Sequence, residues 1–342
     1  MTMHFRDKML GLGLALLFLL TFFLPSKASE TLNGAGSTFV YPILSKWAYD
    51  FQKVSGVKIN YQSIGSGGGI RQITERTIHF GASDMPLTPQ ELKSKKLLQF
   101  PIVIGGVVLA YNLPELRGKG LILDGETICG VYLGKIKSWD DPKIRALNPG
   151  VALPSRPITP VFRSDGSGTT ALFTHYLSEV CKDWAKEVGF GTSVKFKTGL
   201  SGKGNEGVAN YVKRTPYSIG YVEYAYAVQN KLSIAHLKNR AGNVVAPDVN
   251  TFKEAASSAN LDPKNHFYAW ITNAPGKNAY PITGLVFILL AEEKKDINKK
   301  VVKFFDWVLT NGDNQALSLQ YVPLPKDLKD KVRSYWKANG LY

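Results

Sequence analysis

Three clusters of small polar residues, each leading into an apolar-periodic stretch, set the architecture of this chain. They are Gly34-Ala35-Gly36-Ser37-Thr38-Phe39, Gly65-Ser66-Gly67-Gly68-Gly69 and Asp165-Gly166-Ser167-Gly168-Thr169-Thr170. After the first, Val40, Ile43, Leu44, Trp47 and Phe51 recur at helical spacing, with Pro42 tolerated in the first turn. Ile70 and Ile73 open a helix after the second, and Leu172, Phe173, Tyr176 and Leu177 mark one after the third. Strands lie between: Val57, Ile59 and Tyr61 alternate with polar residues, residues 79–82 end at Ser83-Asp84, and residues 158–162 end at Arg163. Alternating strands and helices predict α/β sheets that bind ligands at the carboxyl ends of their strands.

The rest of the chain continues the pattern. Residues 100–111 form an apolar, β-branched run, split by Gly105-Gly106, that suits buried strands. A short helix and turn are expected around residues 129–139, a helix at 207–213 and a strand at 219–222. Residues 239–273 are polar and hairpin-like. A further buried strand follows Gly284. A helical stripe of Val301, Phe304, Phe305, Val308 and Leu309 ends at Asn311-Gly312, and Leu328, Val332, Tyr335 and Trp336 give a last amphipathic helix. With 44% hydrophobic and 20% charged residues the chain is globular rather than disordered. Its 342 residues suit one large domain or two medium lobes.

Residues 1–28 read as a secretory signal. Arg6 and Lys8 precede an almost wholly apolar run, residues 9–24, which Pro25 breaks, and Ser26 and Ala28 offer small residues to a signal peptidase. The run is shorter than the about 20 residues of a spanning helix. Cleavage after Ala28 and a soluble product in a periplasm are expected. The net charge of +15 is compatible with an anionic ligand, an anionic surface or nucleic acid. The positive residues are scattered and no recognition motif supports nucleic acid. Two cysteines, Cys129 and Cys181, exclude a four-thiolate zinc site. They can pair in an oxidising compartment, but sequence does not fix their distance.

The glycine-rich junctions carry the chemistry. Unpaired N–H groups at a helix start point outward, and the helix dipole favours negative charge there. Glycine lets a ligand approach the backbone and Ser and Thr add hydroxyl donors. One such cluster is most simply a cap; three, with Arg163 nearby, indicate an anion. A fourth, residues 199–207, is not a Walker A loop, since Lys197 and Gly204 stand where a glycine and a Ser or Thr are required; it reads first as a structural turn and second as a contact at the cleft rim. Ser167 lacks the first glycine of a hydrolase elbow, and the histidines lack metal-ligand spacing. Asp84 ends a strand where an anion is expected. A carboxylate belongs there if the ligand carries a proton to donate to it. Asp165, two residues from Arg163, can orient the guanidinium.

At these residues the chain resembles the periplasmic phosphate-binding proteins of phosphate-specific ABC transporters. The segments GAGSTFVYPILSKWA, YQSIGSGGGIRQI, FGASDMPL, FPIVIGGVVLAYN, YLGKIKSWDDP, RSDGSGTT, GKGNEGVANYV and IGYVEYAYA carry the likeness, in order. The resemblance implies an α/β, two-lobed type II periplasmic binding protein with its ligand cleft between the lobes. Lobe one would be residues 29–111 plus 283–342, and lobe two residues 112–282. It implies ligand contacts from Thr38, Phe39 (backbone), Ser66, Asp84, Arg163, Ser167, Gly168 and Thr169, with Asp165 pairing the binding arginine. It further implies a monomeric, non-enzymatic receptor without metal or cofactor, which hands inorganic phosphate to the membrane permease subunits of an importer. A receptor for another tetrahedral oxyanion such as sulfate, a secreted phosphatase and an adhesin are the alternatives.

Overall fold

The computed structural model describes residues 30–116 and 120–342; the expected signal segment lies outside the described residues. Thr31–Gly36 is flanked by Lys58–Ser63 and Phe80–Ser83, parallel to both. The helices returning between these strands are Tyr41–Ser55 and Ser66–Thr74. Pro42 sits in the first turn of Tyr41–Ser55, Ile43, Leu44, Trp47 and Phe51 are its buried stripe, and Gly56 ends it in the left-handed region. Thr283–Ala291 then runs antiparallel to Phe80–Ser83 and to Leu97–Tyr111.

Leu97–Tyr111 joins the two halves of the sheet. All 15 of its residues are buried. Residues 97–106 pair with Thr283–Ala291, while residues 107–111 pair with Ser218–Glu223. Ser218–Glu223 runs parallel to Thr159–Arg163, which runs parallel to Leu200–Gly202. The expected split at Gly105-Gly106 is therefore a change of partner within one continuous strand. Its physical reason is close packing of rings. A β-carbon on Gly105 would lie 2.7 Å from the Phe39 ring, and one on Gly106 would lie 2.1 Å from the Phe252 ring.

The C-terminal stripe forms helix Lys295–Asn311, which buries Val301, Val302, Phe304, Phe305, Val308 and Leu309. Burying a side chain of this kind stabilises by about 1.5–3 kcal/mol, so tertiary docking outweighs helix propensity here. The last helix is Lys326–Ala338. Among the described residues no helix is long and apolar enough to cross a membrane.

The stretch read as hairpin-like behaves differently. Only His236–Lys238 and Val244–Val245 form a small hairpin; Val249–Ser257 is a helix started by an Asp248 capping box. Its stripe of Phe252 and Ala255 is too short to stand out in the sequence. Residues 263–282 touch both halves of the molecule. His266 Nδ1 lies 2.6 Å from the Tyr335 hydroxyl, and Trp270 stacks on His175 at 4.0 Å.

Cys129 and Cys181 are joined, with 6.5 Å between their Cα atoms and 52 residues of separation. The bond ties helix Gly125–Tyr132 to the residue that ends helix Gly168–Val180. Closing a loop of this size restricts the unfolded chain, and we expect reduction to lower stability by about 2–4 kcal/mol. Denaturant unfolding with and without reductant checks this; coincident midpoints would contradict it.

Candidate functional site

The three glycine clusters converge at the carboxyl ends of parallel strands, two from one half of the sheet and one from the other. Thr31–Gly36 delivers Ser37, Thr38 and Phe39, Phe80–Ser83 delivers Asp84, and Thr159–Arg163 delivers Arg163. Ser66 opens helix Ser66–Thr74. Ser167 caps helix Gly168–Val180, its hydroxyl accepting from the Thr170 N–H at 3.0 Å. That helix is about 20 Å long, so its disulfide anchor and its site residues lie at opposite ends.

The halves meet backbone to backbone. The Gly67 N–H donates to the Gly166 carbonyl at 3.0 Å. A β-carbon at Gly168 would fall 2.4 Å from Ser66 Oγ and 2.5 Å from Asp84 Oδ2, so a side chain there would block the approach. Thr38, Ser66, Asp84, Arg163, Ser167 and Thr169 are all buried. The Phe39 ring is in the core, edge-on to Tyr321 at 6.3 Å, which leaves its backbone for the site.

Arg163 is held as a fork. Nε donates to Asp165 Oδ1 at 2.7 Å and Nη2 to Oδ2 at 2.5 Å, while Nη1 reaches Thr169 Oγ1 at 3.4 Å. Burial alone would raise the Asp165 pKa, but the hydrogen bonds and charge of Arg163, with the Gly204 N–H, hold it below the ordinary value. The Asp165 carboxylate thus remains charged and orients the guanidinium.

Asp84 has the opposite balance. Ser37 donates to its Oδ1, and its own N–H donates to Ser66 Oγ at 3.2 Å. Its Oδ2 is buried and has no hydrogen-bond partner in the protein. Burial pushes the carboxyl up to about 7, against the Ser37 hydrogen bond, the Arg163 charge and the Ser66 hydrogen bond. An unsatisfied buried carboxylate oxygen is costly, and a ligand hydroxyl would satisfy it.

The structure brings together every residue expected from the sequence and adds others. The fourth cluster supplies contacts at the junction of the halves, the lesser of its two expected roles. Gly204, with φ +71°, sends its N–H to Asp165 Oδ1 at 3.0 Å. Asn205, fully buried, donates from Nδ2 to Thr38 Oγ1 at 2.7 Å and Thr169 Oγ1 at 3.1 Å. Tyr226 donates to the Thr38 carbonyl at 2.5 Å and Tyr321 to the Phe39 carbonyl at 2.6 Å. Buried Glu223 Oε2 lies 3.0 Å from the same Tyr321 hydroxyl, and burial pushes its carboxyl well above the usual range. Tyr321 left no local signal; Asn205 could have been found only through the GKGNEG segment, and Glu223 and Tyr226 only through IGYVEYAYA.

Two of the histidines are tied down by hydrogen bonds away from the carboxyl ends of the strands. His79 Nδ1 accepts from the Asn33 N–H at 3.0 Å, and His175 Nδ1 lies 2.7 Å from the Thr272 hydroxyl. Among the described residues no group of three His, Cys, Asp or Glu could hold a metal ion.

Comparison with known proteins gives concordant results. Residues 25–311 match the PBP superfamily domain. The phosphate-binding protein PstS of Haemophilus influenzae is 48% identical over 317 residues, covering 92% of this chain and 95% of the relative. That of Pasteurella multocida is 50% identical over 327 residues, covering 95% and 94%. Among solved structures, a high affinity periplasmic phosphate-binding protein bound with phosphate superposes with a TM-score of 0.70 at 22% identity, covering 89% of this chain and 93% of that one. A phosphate ABC transporter substrate-binding protein with bound phosphate from Clostridium perfringens gives 0.65 at 19%, covering 86% and 100%. These structures share the two-lobed type II fold.

Proposed function

We propose, from the premise that the chain belongs to the phosphate-binding proteins of the PBP superfamily, that it captures inorganic phosphate between its lobes. It is the substrate-binding receptor for phosphate in an ABC importer. It works as a monomer in the periplasm after removal of residues 1–28, hands its cargo to the permease subunits and catalyses no reaction. One lobe comprises residues 29–111 and 283–342, the other residues 112–282.

One observation carries the reading of the site. Buried donors and helix starts surround a carboxylate whose Oδ2 lacks a protein partner. A fully ionised oxyanion would satisfy the donors and repel the carboxylate; a protonated one satisfies both. Thr38, the Phe39 backbone, Ser66 and Asp84 grip the anion from one lobe, and Arg163, Ser167, Gly168 and Thr169 from the other. A ligand contacting both sets favours the closed form, because only that form makes all the contacts. The Ser167 hydroxyl only accepts at its helix cap, which leaves its proton to donate to the anion.

Titration calorimetry with inorganic phosphate is expected to show one saturable site per chain. Phosphate esters are expected to release no phosphate in metal-replete buffer. Absence of binding heat, or ester turnover, would overturn the reading.

A further inference from the structure

We propose that Asn205 is a positioning residue that sets the polarity of the two threonine hydroxyls in the cleft, so that both can only donate to the bound anion. The inference rests on the phosphate reading above and extends it to a residue outside the expected ligand set.

The backbone N–H of Glu223 donates to Asn205 Oδ1 at 2.8 Å. A backbone N–H cannot accept, so this contact fixes which end of the carboxamide faces the cleft. Nδ2 is that end, and it donates to Thr38 Oγ1 at 2.7 Å and Thr169 Oγ1 at 3.1 Å. Thr38 Oγ1 also accepts from the Asn205 N–H at 3.3 Å, and Thr169 Oγ1 from Arg163 Nη1 at 3.4 Å.

A hydroxyl has one proton and two acceptor lone pairs. Both threonine oxygens therefore have their acceptor sites filled. What each has left is its own proton, for which no protein acceptor is found among the described residues. Without Asn205 the same hydroxyls could rotate and present lone pairs to the anion. The carboxamide also bridges the lobes, since Thr38 follows a strand of one half and Thr169 belongs to a helix of the other.

The test is a set of calorimetric titrations with inorganic phosphate on wild-type protein, Asn205→Ala, Asn205→Asp, the pair Thr38→Val/Thr169→Val, and the triple combination with Asn205→Ala. Asn205→Ala is expected to weaken binding by about tenfold or more. Asn205→Asp keeps the size and the acceptor for Glu223 but draws the threonine protons away from the cleft, so it is expected to lose about a hundredfold or more. Because Asn205 acts through the hydroxyls, Asn205→Ala is expected to cost less than about twofold further once both are replaced by valine methyls. A full, additive loss in that background would show a general structural role and overturn the proposal. So would Asn205→Asp binding as tightly as wild type, which keeps the test decisive if Asn205→Ala does not fold. A wild-type protein that gives no heat with phosphate would instead remove the functional reading, and the proposal with it.

Discussion

Replacement of Arg163 by alanine is expected to weaken phosphate binding by about a hundredfold. Asp165 and Thr169 engage Nε, one Nη2 proton and one Nη1 proton, which leaves an Nη1 and an Nη2 proton for anion oxygens. Hydrogen bonds to charged groups are worth about 1.5–3 kcal/mol each. Two at the lower bound give about 3 kcal/mol, or about two decades in affinity. The loss is compounded because Asp165, only 13% exposed in its side chain, keeps its charge at the edge of the cleft without its cation. Arg163→Lys is expected to recover part of the affinity, since an ammonium carries the charge without the planar fork. Calorimetry on variants with unchanged circular dichroism checks both. An unaltered dissociation constant for Arg163→Ala would place the anion elsewhere.

The second large effect is selectivity through Asp84. Phosphate near neutrality carries a proton that can bond to the carboxylate, whereas sulfate carries none. Sulfate can occupy the same site only if Asp84 is itself protonated on closure. In an open, hydrated cleft an ordinary carboxyl, at about 3.9, is ionised at pH 7, so sulfate binding takes up a proton while phosphate brings its own. Burial between the lobes, which raises the value to about 7, is what makes proton uptake accompany closure around sulfate. The sign follows: preference for phosphate grows as pH rises and shrinks by about tenfold per unit as pH falls from 7 toward 4. Asp84→Asn removes the need for a proton, and its amide can donate to either anion. This variant is expected to gain sulfate affinity and lose the pH slope. A ratio untouched by Asp84→Asn would contradict the role assigned to the carboxylate.

What the sequence makes legible here is what short stretches of backbone dictate. Gly34-Ala35-Gly36, Gly65 to Gly69 and Gly166 to Gly168 mark places where chain segments meet closely, and the structure uses them so. Val301 to Leu309 marks a helix because one face must be buried. The architecture follows from this alternation, and the grouping of Thr38, Asp84 and Arg163 follows from strands ending at the same edge. Contacts made between distant residues escape such reading. Asn205 faces Thr38 across 167 residues, and Tyr321 reaches the Phe39 carbonyl across 282. No local pattern encodes either. Helix Val249–Ser257 is hidden because it buries only Phe252 and Ala255. The pairing of Cys129 with Cys181 is likewise a matter of distance in space.

The central claim is that a buried carboxylate reads the proton of the anion held between the lobes. Competition calorimetry of wild-type protein with phosphate and sulfate at pH 7 tests it most directly. The account predicts that phosphate binds tighter by about two decades, the worth of a hydrogen bond of about 3 kcal/mol to a charged group, with arsenate, which is also protonated, competing with phosphate. Sulfate binding within about tenfold of phosphate would contradict it.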